Sequence, residues 1–505
     1  MVKQKDTSAQ PVHVLEMLPW QAAAVWAAAL LLARIIYVQW LMPYGLGPDE
    51  AQYWHWTSHM DWSYLTKPPL TTAAIAVGTG FFGETMLGVK IFALLGQSIV
   101  PLVGFAMAGM VAGVGAAWLA FWLLATVPLV AVGGLLMSPD ALLLPLWMFA
   151  LFILFLSTQQ DKLKWCCWSM IGVLIGLAGL AKYTAALFYP LLLVFMLVER
   201  RDWLKQPQPY VAGLISLVLQ APVLWWNWQH DWAGLHHLLW QADGGGDGRH
   251  GGVGTLLEFL GGQLLVVGPL TFVLLLAVWG RSVAVYKRLE PQMRLLLWFT
   301  LPVFAVFALQ TLNAKVQPNW PLLATVPALV LLAVLVAGRW RKLRPLLVAG
   351  IILNVLASLV MHDTFLLRRV GLETPYKADP TKDLRGWPEM GQLLDLQLAR
   401  LAADSVVLTT RYQTAALAAF HTPRHPAVLY LNDGTRRANQ YDLWPWPPLA
   451  GRLVLYINEQ NVLPDAVKHR FSRCEPWQPL RTTTQGIITR QLRTWLCWST
   501  EVAVR

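Results

Sequence analysis

Apolar runs of about 20 residues, each long enough to cross a bilayer as a helix, recur along the first two-thirds of the chain. They fall near 18–42, 89–111, 112–136, 141–157, 165–181, 184–198, 208–226, 255–279, 293–311, 319–337 and 343–361, so eleven spans or more are expected. The stretch 71–82 is apolar but short, and reads as an interfacial helix. Beyond residue 361 the pattern changes to β-branched runs, SVVLTT (405–410), AVLYLN (427–432) and LVLYIN (453–458), separated by helical or turn-rich segments. That pattern predicts an α/β domain. The expected organisation is an α-helical polytopic membrane domain over 1–361 followed by a C-terminal α/β domain over 362–505. A glycine-rich loop, ADGGGDGRHGGVG (242–254), interrupts the helical part.

Charge then orients the spans. Of the 505 residues 13% are charged and 56% hydrophobic; the charged share is about half the ~25% of soluble domains, which excludes a soluble protein. Lys3 and Lys5 precede a first run too long for a signal-peptide core and without a small-residue cleavage site, so that run is expected to stay as an anchor. With the N-terminus inside, the inner segments hold Lys3, Lys5, Lys162, Lys164, Arg200, Arg201, Lys205, Arg281, Lys287, Arg288, Arg339, Arg341, Lys342 and Arg344. The outer loops before residue 362 hold Lys67, Lys182, Arg249 and Lys315. This asymmetry supports both the number of spans and their orientation. An odd number of spans places 362–505 on the outer side. The net charge of +11 forms no basic stripe with interleaved aromatics, so no nucleic-acid partner is expected. Cys166 and Cys167 are adjacent and would bridge only under strain, whereas Cys474 and Cys497 could pair in an oxidising compartment.

Four basic residues on the side that the topology rule depletes need a reason. The first outer loop reads GPDEAQYWHWTSHMDWSYLTKPPL (47–70). Pro48 suits the first position of a helix, and Asp49 and Glu50 then occupy its first turn, where the helix dipole favours carboxylates. Tyr53 and Trp56 follow Asp49 at helical spacing, so acid, phenol and indole are expected on one face, with Trp54, Trp62 and Tyr64 at headgroup level. Lys67 precedes Pro68 and Pro69, which hold it in extended backbone. A lysine fixed there is a candidate ligand for a lipid phosphate. The plainer reading is that the acids cap a helix and the aromatics anchor it.

Asp140, in SPDALLLPLW, and Lys182, in GLAKYTAALFYP, sit in short outer turns between apolar runs. Ionisable groups in such places are functional candidates by default, and Lys315, in KVQPNWP, is a weaker case. Tyr183 follows Lys182. His230, His236, His237, Asp243, Asp247 and His250 crowd one outer loop, but their spacing matches no standard zinc pattern.

DEAQYWHW with DWSYLTKPPL behind it, the SPDALLLPLW turn and GLAKYTAALFYP resemble the polyprenyl-phosphate-dependent C-type membrane glycosyltransferases, a family that includes the aminoarabinose transferases of lipid A and the protein O-mannosyltransferases. The resemblance covers roughly residues 19 to 340, with all three motifs in order. WNWQHDW (226–232) and KVQPNWP (315–321) look like markers of a bacterial subgroup.

The resemblance implies the C-type fold, a bacterial inner membrane, and an active site facing the periplasm. It also implies a sugar donor on a polyprenyl (undecaprenyl) phosphate and an envelope acceptor, either lipid A or lipopolysaccharide, another glycan, or a protein. No cofactor is implied, and a divalent metal finds no support in the spacing. The leaving phosphate gains charge as the glycosidic bond breaks, so it needs cations, which Lys67 and Lys182 supply. Asp49 is the motif's acid and the expected base for a hydroxyl acceptor, with Asp140 the second catalytic acid. Attack is expected to invert the anomeric centre. Glu50, Tyr53, Tyr64, Tyr183, His230 and Lys315 complete the candidate site. A secondary transporter is the non-enzyme alternative, but transporters place charges at the midplane and show related halves; here the charges lie at the outer ends and no halves are found. A lipid-binding scaffold would explain the lysines but not the paired acids.

Overall fold

The computed structural model describes residues 16–159, 164–242, 251–372 and 375–499. Lys3, Lys5, Lys162, Asp243, Asp247, Arg249 and His250 lie outside them. The described chain divides into two compact units, one drawn from Met1–Ile36, Lys67–Leu70 and Ile91–His362, the other from Tyr37–Thr66, Thr71–Lys90 and Asp363–Arg505.

Apolar helices make up the first unit and the segments leading into it. Among the described residues five are long and apolar enough to cross a membrane: Trp20–Leu41, Met86–Thr126, Pro139–Ser157, Pro291–Gln310 and Arg341–His362. Met86–Thr126 is broken at Ala112 and Gly113, where Gly113 takes a φ of +76°, so the expected runs 89–111 and 112–136 meet at a kink. Two further expected runs are bent. Gln208–Leu219 and Ala221–Gln229 meet at 43°, with Pro222 opening the second helix. The run 255–279 is divided more sharply, into Val253–Val266 and Pro269–Ala284 at 113°. Pro269 has no N–H to continue the ladder, and Gly268 adopts φ +88°, so the chain turns a corner there. Each arm alone, at about 1.5 Å per residue, is shorter than the roughly 30 Å hydrocarbon core, and only the two together are long and apolar enough to count as one bent span. Trp165–Ala181, Tyr183–Glu199 and Leu322–Ala337 are shorter apolar helices, as is Leu70–Phe82, the segment expected to be interfacial.

The core of this unit lies on Leu322–Ala337, in which every residue from Leu322 to Val336 is buried. A helix apolar all round belongs at the centre of a bundle; Pro139–Ser157, Pro269–Ala284 and Pro291–Gln310 pack around it.

The second unit is α/β. Its strands are β1 (Val406–Thr409), β2 (Val428–Tyr430), β3 (Leu453–Asn458), β4 (Arg473–Pro476), β5 (Leu480–Thr484) and β6 (Ile487–Trp498), in the order β2-β1-β3-β6-β4 with β5 also on β6. β1 is parallel to β2 and β3, while β6 is antiparallel to β3, β4 and β5. The three β-branched runs form β1, β2 and β3. Helix Tyr412–His421 is the crossover between parallel β1 and β2, the connection such a pair requires. Cys474 and Cys497 face each other across β4 and β6 and form a disulfide, and Cys166 and Cys167 are free. The segment Tyr37–Thr66 belongs to this unit as well: helix Pro48–His55 packs on Tyr412–His421, with Trp54 and Phe420 ring centroids 5.0 Å apart.

Candidate functional site

In the segment 47–70 the helix starts at Pro48 as its residue types dictate, with Asp49 and Glu50 in the first turn. The two acids then part. Asp49 is exposed, whereas Glu50 turns inward and pairs with Lys90, the two side chains 3% and 0% exposed. The other Glu50 oxygen accepts the Gly47 N–H at 2.8 Å. A buried carboxylate needs its charge met and its lone pairs occupied, so Glu50 serves to fasten the loop, while Asp49 is the exposed acid of the two.

Lys90, the buried partner of Glu50, was not singled out from the sequence. A lysine in the apolar run beginning at Met86 was the signal that could have found it, because an ionisable group in such a run requires a partner.

The expected common face of Asp49, Tyr53 and Trp56 does not form as one surface. Tyr53 and Trp56 are buried at 2% and 0% exposure and touch edge to face, while Tyr64 stacks on Trp56 at 4.4 Å. Of the three aromatics expected at headgroup level, only Trp62 is exposed; Trp54 and Tyr64 are buried inside the protein. The cover of Trp54 comes from far along the chain, where Phe420 and His425 pack on it, and next to Tyr64 the Leu65 N–H donates to Gln440.

Local electrostatics follow from this packing. Burial and then the Asp49 charge push the Tyr412 hydroxyl up to about 12, so Tyr412 is a neutral donor beside the Asp49 end of the paired helices. Burial, then the Lys90 charge, holds His421 down at about 3. It is neutral, and its Nε2 accepts the Leu46 N–H at 3.1 Å. His55, lowered to about 4 mainly by burial, meets the Tyr441 hydroxyl at 3.1 Å.

The first unit holds the other candidates. Asp140 lies in the first turn of Pro139–Ser157. Lys182 occupies an extended joint, φ −155° and ψ 132°, between Trp165–Ala181 and the 3-10 turn Tyr183–Leu187. Lys182 Nζ reaches Asp140 Oδ1 at 2.7 Å, with the side chains 21% and 17% exposed, and Asp140 Oδ2 accepts from Asn319 Nδ2 at 2.9 Å. Lys182 and Asp140 are thus brought together. Lys67 lies in the same unit, half-buried just ahead of Pro68 and Pro69. Lys315 pairs with Glu258 at 2.7 Å. His230 stacks on Trp226 at 4.0 Å and places Nδ1 2.8 Å from the Trp226 carbonyl, so it closes a helix end. Among the described residues no group of three or more His, Cys, Asp or Glu could hold a metal ion.

An apolar groove of about 930 Å³ is lined by Gly179 and Tyr183, which stand on either side of Lys182 in sequence, and by Leu192, Met196, Leu217 and Trp232. Its volume is at the upper end of small-molecule sites.

Residues 66–226 match the family model described as dolichyl-phosphate-mannose-protein mannosyltransferase. The lipid A galacturonosyltransferase RgtD of Rhizobium johnstonii is 29% identical over 304 residues, 58% of this chain and 61% of that protein; the match spans about three-fifths of that relative. Among solved structures, ArnT from Cupriavidus metallidurans in the apo state aligns with a TM-score of 0.60 and 17% identity over 94% of this chain and 98% of its own. The same protein bound to undecaprenyl phosphate aligns with a TM-score of 0.61 and 17% identity over 95% and 98%. These likenesses bear out the resemblance to the polyprenyl-phosphate-dependent C-type membrane glycosyltransferases. The fold is the one ArnT has.

Proposed function

We propose that the chain is a membrane glycosyltransferase that moves a sugar from a polyprenyl phosphate to an envelope lipid of the lipid A class. The observation that carries this reading is Lys182, an ammonium at a helix joint, held by Asp140 and flanked by residues of an apolar groove. A phosphate on a long apolar chain fits that pairing of cation and groove. The named relatives support the same donor and acceptor: one was solved with undecaprenyl phosphate, and another is named for lipid A.

Lys67 and Lys182 bind the donor phosphate and stabilise the charge that grows on it as the glycosidic bond breaks. Asp140 orients Lys182. Asp49 takes the proton of an acceptor hydroxyl, or orients the acceptor where the nucleophile is itself a phosphate. Inversion at the anomeric carbon then needs no covalent enzyme intermediate.

The eleven-span count and the division into 1–361 and 362–505 belong to the same proposal. With the N-terminus inside a bacterial inner membrane, 362–505 is periplasmic, and the Cys474–Cys497 disulfide suits that oxidising side. Single cysteines at the exposed positions Thr85 and Gln485, in a chain with Cys166 and Cys167 replaced by serine, should react with an impermeant maleimide in intact cells. Cysteines at the exposed positions Arg201 and Arg339 should react only after lysis. The reverse pattern at two of the four positions would discard the orientation.

A further inference from the structure

We propose that Asn319 is a positioning residue of the donor-phosphate site: its side-chain amide sets the carboxylate of Asp140, and through it the direction in which Lys182 presents its ammonium. This rests on the reading of Lys182 as a phosphate ligand.

Each Asp140 oxygen has its own partner, Oδ1 the Lys182 ammonium at 2.7 Å and Oδ2 the Asn319 amide at 2.9 Å. A carboxylate held at one oxygen turns about its terminal torsion, which is broad; held at both, its plane is set. The chemistry of the second holder matters. A cation there would satisfy the Asp140 charge and loosen its grip on Lys182, and a second carboxylate would compete for Lys182 and repel a phosphate. A neutral amide fixes the direction and leaves the charge unchanged. An ammonium has three N–H donors, so with one on Asp140 two remain for phosphate oxygens.

The loop that carries Asn319 is fastened from outside the pair. It joins Pro291–Gln310 to Leu322–Ala337. Gln263 Nε2 donates to the Pro318 carbonyl at 2.9 Å, Thr255 Oγ1 donates to the Thr311 carbonyl at 2.5 Å, and Lys315 pairs with Glu258 at 2.7 Å. All three holds come from Val253–Val266, the first arm of the 113° bend. Pro318 fixes the backbone just ahead of Asn319, and Pro321 restricts Trp320 just after it. The bent helix therefore braces the loop, the loop places Asn319, and Asn319 places Asp140. KVQPNWP acquires a task in this chain of contacts.

The test is a titration of the purified full-length chain in lipid nanodiscs with undecaprenyl phosphate, comparing affinities and thermal midpoints. Asn319→Ala should weaken binding about tenfold, the usual size for a hydrogen bond to a charged group. Asn319→Asp, equal in volume, should weaken it further. In an Asp140→Ala background, or Asp140→Asn if the first fails to fold, Asn319→Ala should change binding little, because the group it acts through is gone. A residue that only keeps the loop folded would weaken binding equally in both backgrounds and lower the thermal midpoint. Equal losses in the two backgrounds, or wild-type affinity in Asn319→Ala, overturn the proposal. Lys182→Met separates this failure from failure of the donor site itself: wild-type affinity in Lys182→Met sinks the reading of Lys182, whereas loss there with unaffected Asn319 variants sinks only the role of Asn319.

Discussion

Asp49→Asn is expected to lower turnover onto a hydroxyl acceptor by about 10²–10⁴-fold, the range usual for removing a general base, while undecaprenyl phosphate binding stays as it was. The exchange removes one charge without changing volume. Asp49 is the acid of the DE pair that remains exposed; Glu50 is already engaged by Lys90 and the Gly47 N–H. The two neighbours should therefore fail in different ways. Glu50→Gln strands a buried lysine, and breaking such a pair costs about 3–5 kcal/mol, so its signature is a lowered thermal midpoint. Asp49→Asn should unfold like the wild type. Steady-state turnover and thermal unfolding, measured on both variants, distinguish them: substantial turnover in Asp49→Asn would reduce that residue to a helix cap.

Lys67→Met and Lys182→Met should each weaken donor binding and slow transfer more than they weaken binding. A charge-assisted contact contributes about 1.5–3 kcal/mol, roughly tenfold to a hundredfold in binding. The leaving phosphate becomes more negative along the reaction, so a cation against it gains strength toward the transition state and its loss appears mainly in turnover. Lys182→Met has a second consequence, because Asp140 would keep only Asn319 and stand as an uncompensated negative charge beside the phosphate. Lys182 should thus be the more damaging of the two. Arginine in place of either lysine should be partly tolerated, since it keeps the charge but changes donor geometry. Separate measurements of donor affinity and turnover test each lysine, and normal turnover in one Met variant removes that lysine from the site.

What was legible in the sequence follows from how local each signal is. Apolar runs are local, and so are β-branched strands and a proline opening a helix, which is why the long helices, β1 to β3 and the helix at Pro48 stand where the pattern put them. Bends are set by one or two residues: Gly268 and Pro269 were visible within the run 255–279, but hydropathy averages over them. The strands β4 to β6 mix arginine, threonine and apolar residues, and their pairing depends on partners elsewhere in the chain. Among site residues, the turns bearing Asp140 and Lys182 were readable because charge between apolar helices is rare. The partnership of Glu50 with Lys90, 40 positions apart, was not, since each was weighed within its own segment. The same holds for Asn319 and Asp140, 179 positions apart. Trp54 looked like a membrane anchor because Phe420, which packs on it, lies more than 350 positions away.

Transfer of a sugar from a polyprenyl phosphate to an envelope lipid can be followed by mass spectrometry of a defined reaction. The purified chain in nanodiscs is incubated with undecaprenyl-phosphate sugars extracted from membranes and with lipid A as acceptor, and both substrates are followed by mass. Lipid A should gain the mass of one sugar residue as free undecaprenyl phosphate is released in equal amount, and neither change should occur with Lys182→Met. Unchanged masses of donor and acceptor in the presence of the folded wild-type chain, or release of undecaprenyl phosphate with the sugar delivered only to water, would contradict it.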